Sequence, residues 1–236
     1  MPAPSREVYL SKDSGDAPYL IAQDIPRAAI YIPDSFSLGY IEGSAFPAGK
    51  TFHFNFGKLG SAISVDPAWV NLSQASVSDA QVNAEYAANA INYIATLIGQ
   101  SGLDIQWAQR YWPSTRTVVI DFITRSPDFP GTLVGSLVYP ALEAVVCTPS
   151  RFQQGWDSSF IHTLRADGGD SAYVSTTTAY STFDEIVQPM SGPSASAILS
   201  DVRSVGGTNV HLQKECAAKP AGAVYTHEGV LYNQLA

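Results

Sequence analysis

The chain has 236 residues, a length that suits one domain, and 45 % of them are hydrophobic, ample for a core. Only 14 % are charged, well under the usual quarter, and the net charge of −8 includes no basic run that could neutralise phosphates, so no nucleic-acid partner is expected. No apolar stretch approaches the ~18 residues of a membrane span, and no His/Cys cluster has zinc-ligand spacing, so neither a span nor a metal or other cofactor is expected.

Residues 1–27 read as a polar, flexible lead-in that lacks the apolar core of an export signal, and residues 28–236 read as a single domain. AAIYIP (28–33) predicts a buried strand, stopped by Pro33 and Asp34. A Gly/Ser-rich loop follows to about residue 60, with the alternating FHFNFG (52–57) as a marginal strand. DPAWVNL (66–72) predicts another strand. A helix begins at Ser78 or Asp79, either of which can cap it, and Val82, Tyr86, Ala90, Tyr93 and Leu97 recur at helical spacing up to Gly99. The alternative is a helix of about 79–91 followed by a short strand in IATLI (94–98).

LDIQWAQRYW (103–112) predicts a helix stopped by Pro113. TRTVVIDFIT (115–124) is a near-continuous apolar run suited to a buried parallel strand. PALEAVV (140–146) and SSFIHTLRADG (158–168) predict helices. YVSTTTAYS (173–181), rich in β-branched residues, and TNVHLQKE (208–215) predict the last strands. Strands alternating with helices point to the α/β class, a mostly parallel sheet flanked by helices.

Three side chains stand in an order that carries chemistry. Ser101 lies in the turn Gly99-Gln100-Ser101-Gly102, Asp184 directly after the strand 173–181, and His227 in YTHEG beyond the last strand. Hydroxyl, acid, imidazole is the chain order of serine hydrolases built on an α/β sheet, where each group sits on a loop after a different strand. An acid so placed holds an imidazole in one tautomer, and the imidazole can take a hydroxyl proton. Plainer readings exist for all three. Asp184 can cap the turn before EIVQP, His227 can be a surface histidine, and Ser101 can sit in a helix–helix turn or cap the next helix. His53, His162 and His211 are isolated and read as surface or structural residues.

DAQVNAEYAANAINYI (79–94), GLDIQWAQRYWPSTR (102–116), SPDFPGTLVG (126–135), STTTAYSTFDEIVQP (175–189) and VYTHEG (224–229) together resemble the fungal lipases related to lipase B of Candida antarctica. The resemblance runs from about residue 66 to 232. It implies an α/β-hydrolase fold and serine esterase chemistry on lipid or other hydrophobic carboxylic esters, small-molecule substrates. It also implies a secreted protein; a monomer is expected, and contact with a lipid interface is compatible. Matched residue by residue, Asp184 takes the place of the triad acid and His227 that of the triad histidine. Asp128, in SPDF, takes the place of an aspartate near the catalytic serine, although a turn before Phe129-Pro130-Gly131 explains it equally well. Leu137, Leu142, Val145 and Val146 would line the substrate entrance, and core packing explains them as readily.

The chain departs from the family pattern around the nucleophile. The family carries an apolar strand, then Trp-Ser-Gln-Gly-Gly-Leu. Here the helix beginning at 79 runs almost into Gly99-Gln100-Ser101-Gly102-Leu103, which leaves open whether a core strand is lost. Aligned without a gap from LDIQWAQ, Gln100 falls on the family's oxyanion glutamine and Gly99 on its serine. In place of a Pro-Gly-Thr-Gly loop the first strand ends in Pro33-Asp34-Ser35-Phe36. Ser35 could replace the threonine donor, whereas Asp34 beside a developing oxyanion would be unfavourable. Two readings follow. One is an active esterase with Ser101 as nucleophile and Gln100 and Ser35 near the oxyanion. The other is a relative that keeps acid and base but not a working nucleophile. Cys147 and Cys216 can pair or stay free, and by the resemblance Cys216 lacks its family partner.

Overall fold

The computed structural model describes residues 10–12, 28–31, 66–70, 79–93, 97–98, 102–134, 148–216 and 225–232. The stretch 52–57 and the expected helix 140–146 lie outside them. The strands among the described residues are β1 (Leu10–Lys12), β2 (Ala28–Tyr31), β3 (Asp66–Val70), β4 (Leu97–Ile98), β5 (Phe122–Arg125), β6 (Thr176–Tyr180) and β7 (Gly207–His211). They form one sheet in the order β1-β3-β2-β4-β5-β6-β7. Neighbours from β3 through β7 pair in parallel, and β1 runs antiparallel on β3 with Leu10 opposite Val70. The polar sequence of 1–27 gives no sign of that edge strand.

The chain moves outward from β2 to β3, returns past β2 to β4, and continues the other way through β5, β6 and β7. Its direction of growth therefore reverses between β2 and β4. In open parallel sheets the crevice at the carboxyl ends of such a strand pair is where sites are built. Among the described residues Leu97–Ile98 pair as a strand in the central place, with Leu97 opposite both Ile30 and Phe122, as the reading with a short strand in 94–98 expects.

Asp79 starts the helix α1 (Ala80–Tyr93). Its Oδ1 accepts from the N–H groups of Gln81 at 2.9 Å and Val82 at 3.3 Å, satisfying two donors that the first turn cannot pair internally. The helix ends well before Leu97, so the longer reading does not hold. Of its expected apolar stripe, Tyr86 and Ala90 are buried, but Val82 is not, and the buried face is carried mainly by alanines. Ala84, Ala87, Ala90 and Ile91 have no exposed surface, while Val82 is 42 % exposed. Small alanines on that face let α1 lie close to α2 (Gly102–Tyr111), whose residues from Gly102 to Gln109 are all buried. A helix buried on every side must satisfy its polar groups, and Gln106 Nε2 donates to the carbonyls of Gly169 and Ser171, both at 2.8 Å. Trp107 stacks on Phe160 with ring centroids 4.2 Å apart.

The expected strand 115–124 is split. Thr115–Val118 form a short helix, α3, and only Phe122–Arg125 enter the sheet. Arg116 supplies the reason. Its guanidinium donates to the carbonyls of Gln109 and Arg110 at the end of α2, and it lies over the Tyr173 ring, 4.1 Å from the centroid. That anchorage curls the chain back after Pro113 and leaves Ile120 73 % exposed. The helices α4 (Pro149–Gln153) and α5 (Ser159–Arg165) follow, and Ser158 caps α5 by accepting from Ile161 at 3.1 Å. The expected strand 208–215 also ends early: after His211 the chain turns into α6 (Leu212–Glu215), burying Leu212 against Tyr225 and Val230. The final helix is α7 (His227–Tyr232).

Candidate active site

The strand β6 delivers the acid. After Tyr180 the chain makes a tight loop in which Ser181 Oγ accepts from Phe183 N at 3.0 Å and Ser181 O accepts from Asp184 N at 3.4 Å. The two oxygens of Asp184 then divide their work. Oδ1 accepts from the N–H groups of Ile186 at 3.0 Å and Val187 at 2.8 Å, closing the turn before Gln188-Pro189. Oδ2 meets His227 Nδ1 at 3.1 Å. Turn cap and imidazole partner are thus not alternatives for Asp184; one carboxylate does both.

The pair is buried, with Asp184 3 % and His227 4 % exposed. Burial pushes the Asp184 carboxyl up, and the hydrogen bond and charge of His227 pull it down. The Val187 N–H and the Ser126 hydroxyl act in the same direction, and Asp184 lies below its ordinary value. A carboxylate held ionised at Nδ1 favours the tautomer with its proton there, which makes Nε2 the ring nitrogen for proton exchange.

The acid loop is clasped from the β5 side. Thr132 Oγ1 donates to Ile186 O at 2.6 Å and accepts from Gln188 N at 3.1 Å, while Leu133 N donates to Gln188 O at 3.1 Å. Gln188 Nε2 returns to Asp184 O at 2.6 Å. From α6, Gln213 Oε1 accepts from Thr182 N at 3.1 Å and its Nε2 donates to Ser181 Oγ at 2.6 Å.

Asp128 follows β5 on a loop whose anchor is Phe129, without exposed surface. It opens the expected turn, with its carbonyl accepting from Gly131 N at 2.6 Å. The positive φ of 81° at Gly131 and a backbone neighbour, Trp156 Cα, 2.7 Å from where a Cβ would sit require glycine there. The chain leaves β5 through Ser126, whose φ of 45° is uncommon outside glycine. The same loop abuts the start of α2: a Cβ on Gly102 would lie 2.6 Å from Pro127 Cβ.

Ser101, Gln100, Ser35, Leu137, Leu142, Val145 and Val146 lie outside the described residues. The sequence nevertheless leaves only residues 99–101 between Ile98, at the carboxyl end of β4, and Gly102, at the start of α2. Asp184 and His227 are the sequence-derived candidates that the structure brings together. Sequence reasoning missed Glu185, whose Oε2 accepts from His227 N at 3.0 Å, along with Thr132 and Gln213. A local signal existed for one neighbour: Thr226 before His-Glu-Gly has the form of a helix cap, and its hydroxyl accepts from Gly229 N at 3.0 Å.

No protein-family model matches the chain. Over 204 residues it is 31 % identical to "Lipase B" of Pseudozyma antarctica, a match that takes in 82 % of this chain and 57 % of that protein. The crystal structure of Aspergillus fumigatus lipase B fits with a TM-score of 0.77 at 54 % identity, over 93 % of this chain and 56 % of the other. The mature Bacillus licheniformis lipase BlEst2 fits with a TM-score of 0.51 at 16 % identity, over 74 % of this chain and 72 % of that one, a likeness of fold alone. Parallel sheet, strand order and these likenesses define an α/β-hydrolase fold. Within that class the chain is homologous to lipase B of P. antarctica and of A. fumigatus. It spans a little over half the length of either.

Proposed function

We propose that the protein is a lipase-like serine esterase acting on small hydrophobic carboxylic esters. The observation that carries this reading is the buried contact between Asp184 Oδ2 and His227 Nδ1 at 3.1 Å. Its setting supports the reading: both residues follow strands on the side of the sheet that leads away from the β2/β4 reversal. Ser101 is the nucleophile in this reading. It belongs to the three-residue link from β4 to α2, the strand–turn–helix context such a serine needs. Homology to the two lipases B supports the same chemistry.

In that mechanism Ser101 Oγ attacks the ester carbonyl as His227 Nε2 takes its proton. The imidazolium forms against a carboxylate already ionised, so little reorganisation accompanies the charge. The tetrahedral intermediate collapses as Nε2 returns the proton to the departing alcohol, and water then cleaves the acyl-enzyme by the reverse sequence. Gln100 and Ser35, each just beyond the carboxyl end of a strand at the reversal, supply the oxyanion donors in this reading. In this reading Asp128, whose loop abuts the start of α2, supports the nucleophile's turn, and the resemblance assigns the acyl path to Leu137, Leu142, Val145 and Val146.

The order Gly99-Gln100-Ser101-Gly102 favours a second reading, a homologue with acid and base intact but no working nucleophile. A fluorophosphonate probe separates the two. Mass spectrometry of the labelled protein is expected to find the adduct on Ser101, and absence of labelling in a folded sample leaves only the second reading.

A further inference from the structure

Asp184 and Glu185 are consecutive, and both reach His227, at different points. Asp184 takes the ring through Nδ1 at 3.1 Å, and Glu185 takes the main chain, its Oε2 accepting from the backbone N–H at 3.0 Å. His227 is the first residue of α7, so that N–H has no acceptor within the helix. The helix has six residues, too few to hold its own place by internal hydrogen bonds. External bonds therefore fix where it starts: Thr226 satisfies Gly229 N, and Glu185 satisfies His227 N.

We propose that Glu185 is a positioning residue for the general base: it anchors the backbone of His227 while its neighbour Asp184 orients the ring. The catalytic consequence rests on the esterase reading above. A carboxylate is the stronger kind of acceptor for a backbone N–H, because the bond is charge-assisted. Both acids lie on one loop clasped by Thr132 and Gln188, so the two grips share a common frame. Release of one grip lets the backbone shift while the ring stays tethered, which moves Nε2. Misplacement by about 1 Å costs up to roughly 10²-fold in rate. The bond the structure gives Glu185 is to the main chain of His227, and its side chain is exposed overall, so its loss leaves the core intact.

The test uses the full chain and the variants E185A, E185Q and E185D. The first readout needs no turnover: the low-field proton resonance of His227 Nδ1–H bonded to Asp184, assigned by its loss in H227A. The second is steady-state hydrolysis of p-nitrophenyl butyrate. E185Q keeps an oxygen acceptor and is expected to retain the resonance and most of kcat. E185A is expected to broaden or lose the resonance and to lower kcat roughly tenfold or more at unchanged KM. Retention of both by E185A overturns the proposal, as does an equal fall in E185Q. Where E185A does not fold, E185D is read instead. It keeps the charge but withdraws it by one methylene, so a weakened resonance supports the proposal and an unchanged one overturns it. A wild-type chain with the resonance but no esterase activity would sink the esterase reading alone, and the variants' resonances would still decide the positioning claim.

Discussion

Replacing Asp184 by Asn tests the proposed chemistry most directly. Asn Oδ1 can still accept from Ile186 and Val187, so the turn survives. The change falls on the other atom. An amide NH₂ now faces His227 Nδ1, 3.1 Å away, where an ionised oxygen stood. To meet a donor the imidazole must present a lone pair at Nδ1, which moves its proton to Nε2. A protonated Nε2 cannot accept from a serine hydroxyl, and the imidazolium loses its counter-charge as well. In a Ser-His-Asp protease this exchange lowers kcat by about 10⁴, equivalent to about 5 kcal/mol of barrier. The same loss is expected here, with KM little changed because the pair does not bind the ester. The assay is kcat and KM on p-nitrophenyl butyrate, corrected for the fraction of sites labelled by fluorophosphonate in the wild type. An Asp184→Asn variant within tenfold of the wild-type kcat would refute the reasoning.

Three further outcomes follow from the same geometry. Gly102→Ala places a methyl 2.6 Å from Pro127 Cβ and 3.2 Å from Thr124 Oγ1; the forced shift should cost about 1–3 kcal/mol by urea denaturation and lower kcat, and an unchanged midpoint would contradict it. Thr132→Val removes the donor to Ile186 O and the acceptor of Gln188 N, at a residue with no exposed surface. A loss of about 2–3 kcal/mol is expected, largely restored by Thr132→Ser, and a Val variant as stable as wild type would refute the clasp. Asp184 titrates below its ordinary value near 3.8, so the native state binds that proton less readily than the unfolded chain. Its contribution to stability is complete above the unfolded pKa of about 3.9 and is lost as pH falls through the lower native value. Urea midpoints between about pH 5 and pH 2 should therefore drop more steeply for the wild type than for Asp184→Asn, and parallel curves would show that the native carboxylate is not preferentially ionised.

The sheet and the acid–base order were legible because they rest on local pattern. Thr176–Tyr180 is a β-branched run, and a strand followed by FDEIVQP places an acid at a carboxyl end. The failures came where distant side chains overrule local preference. TRTVVIDFIT reads as one strand, but Arg116 ties its start to the end of α2, and Thr115–Val118 wind into a helix. The apolar stripe through Val82 and Leu97 is a coherent helical face, yet while its Tyr86 and Ala90 pack inward, Val82 is exposed and Leu97 pairs in the sheet. Glu185 could not be found from sequence, since the N–H it serves lies 42 residues away and looks locally like any other. Thr132 is hidden for the same reason, its partners lying more than fifty residues on.

Brevity at the middle of the sheet has a mechanical consequence. Among the described residues, one residue pair joins β4 to β2 and two join it to β5. Through the described residues, the flank that carries the imidazole is stitched to the flank that carries β2 by few ladder bonds, with α1 and α2 packed together in the core beside β5. Such an arrangement places a seam at the crevice where the sheet's direction of growth reverses. A substrate gripped from both banks would suture that seam, so occupancy and rigidity should rise together, with the amides of Leu97 and Ile98 the first to register the change by slowed hydrogen exchange.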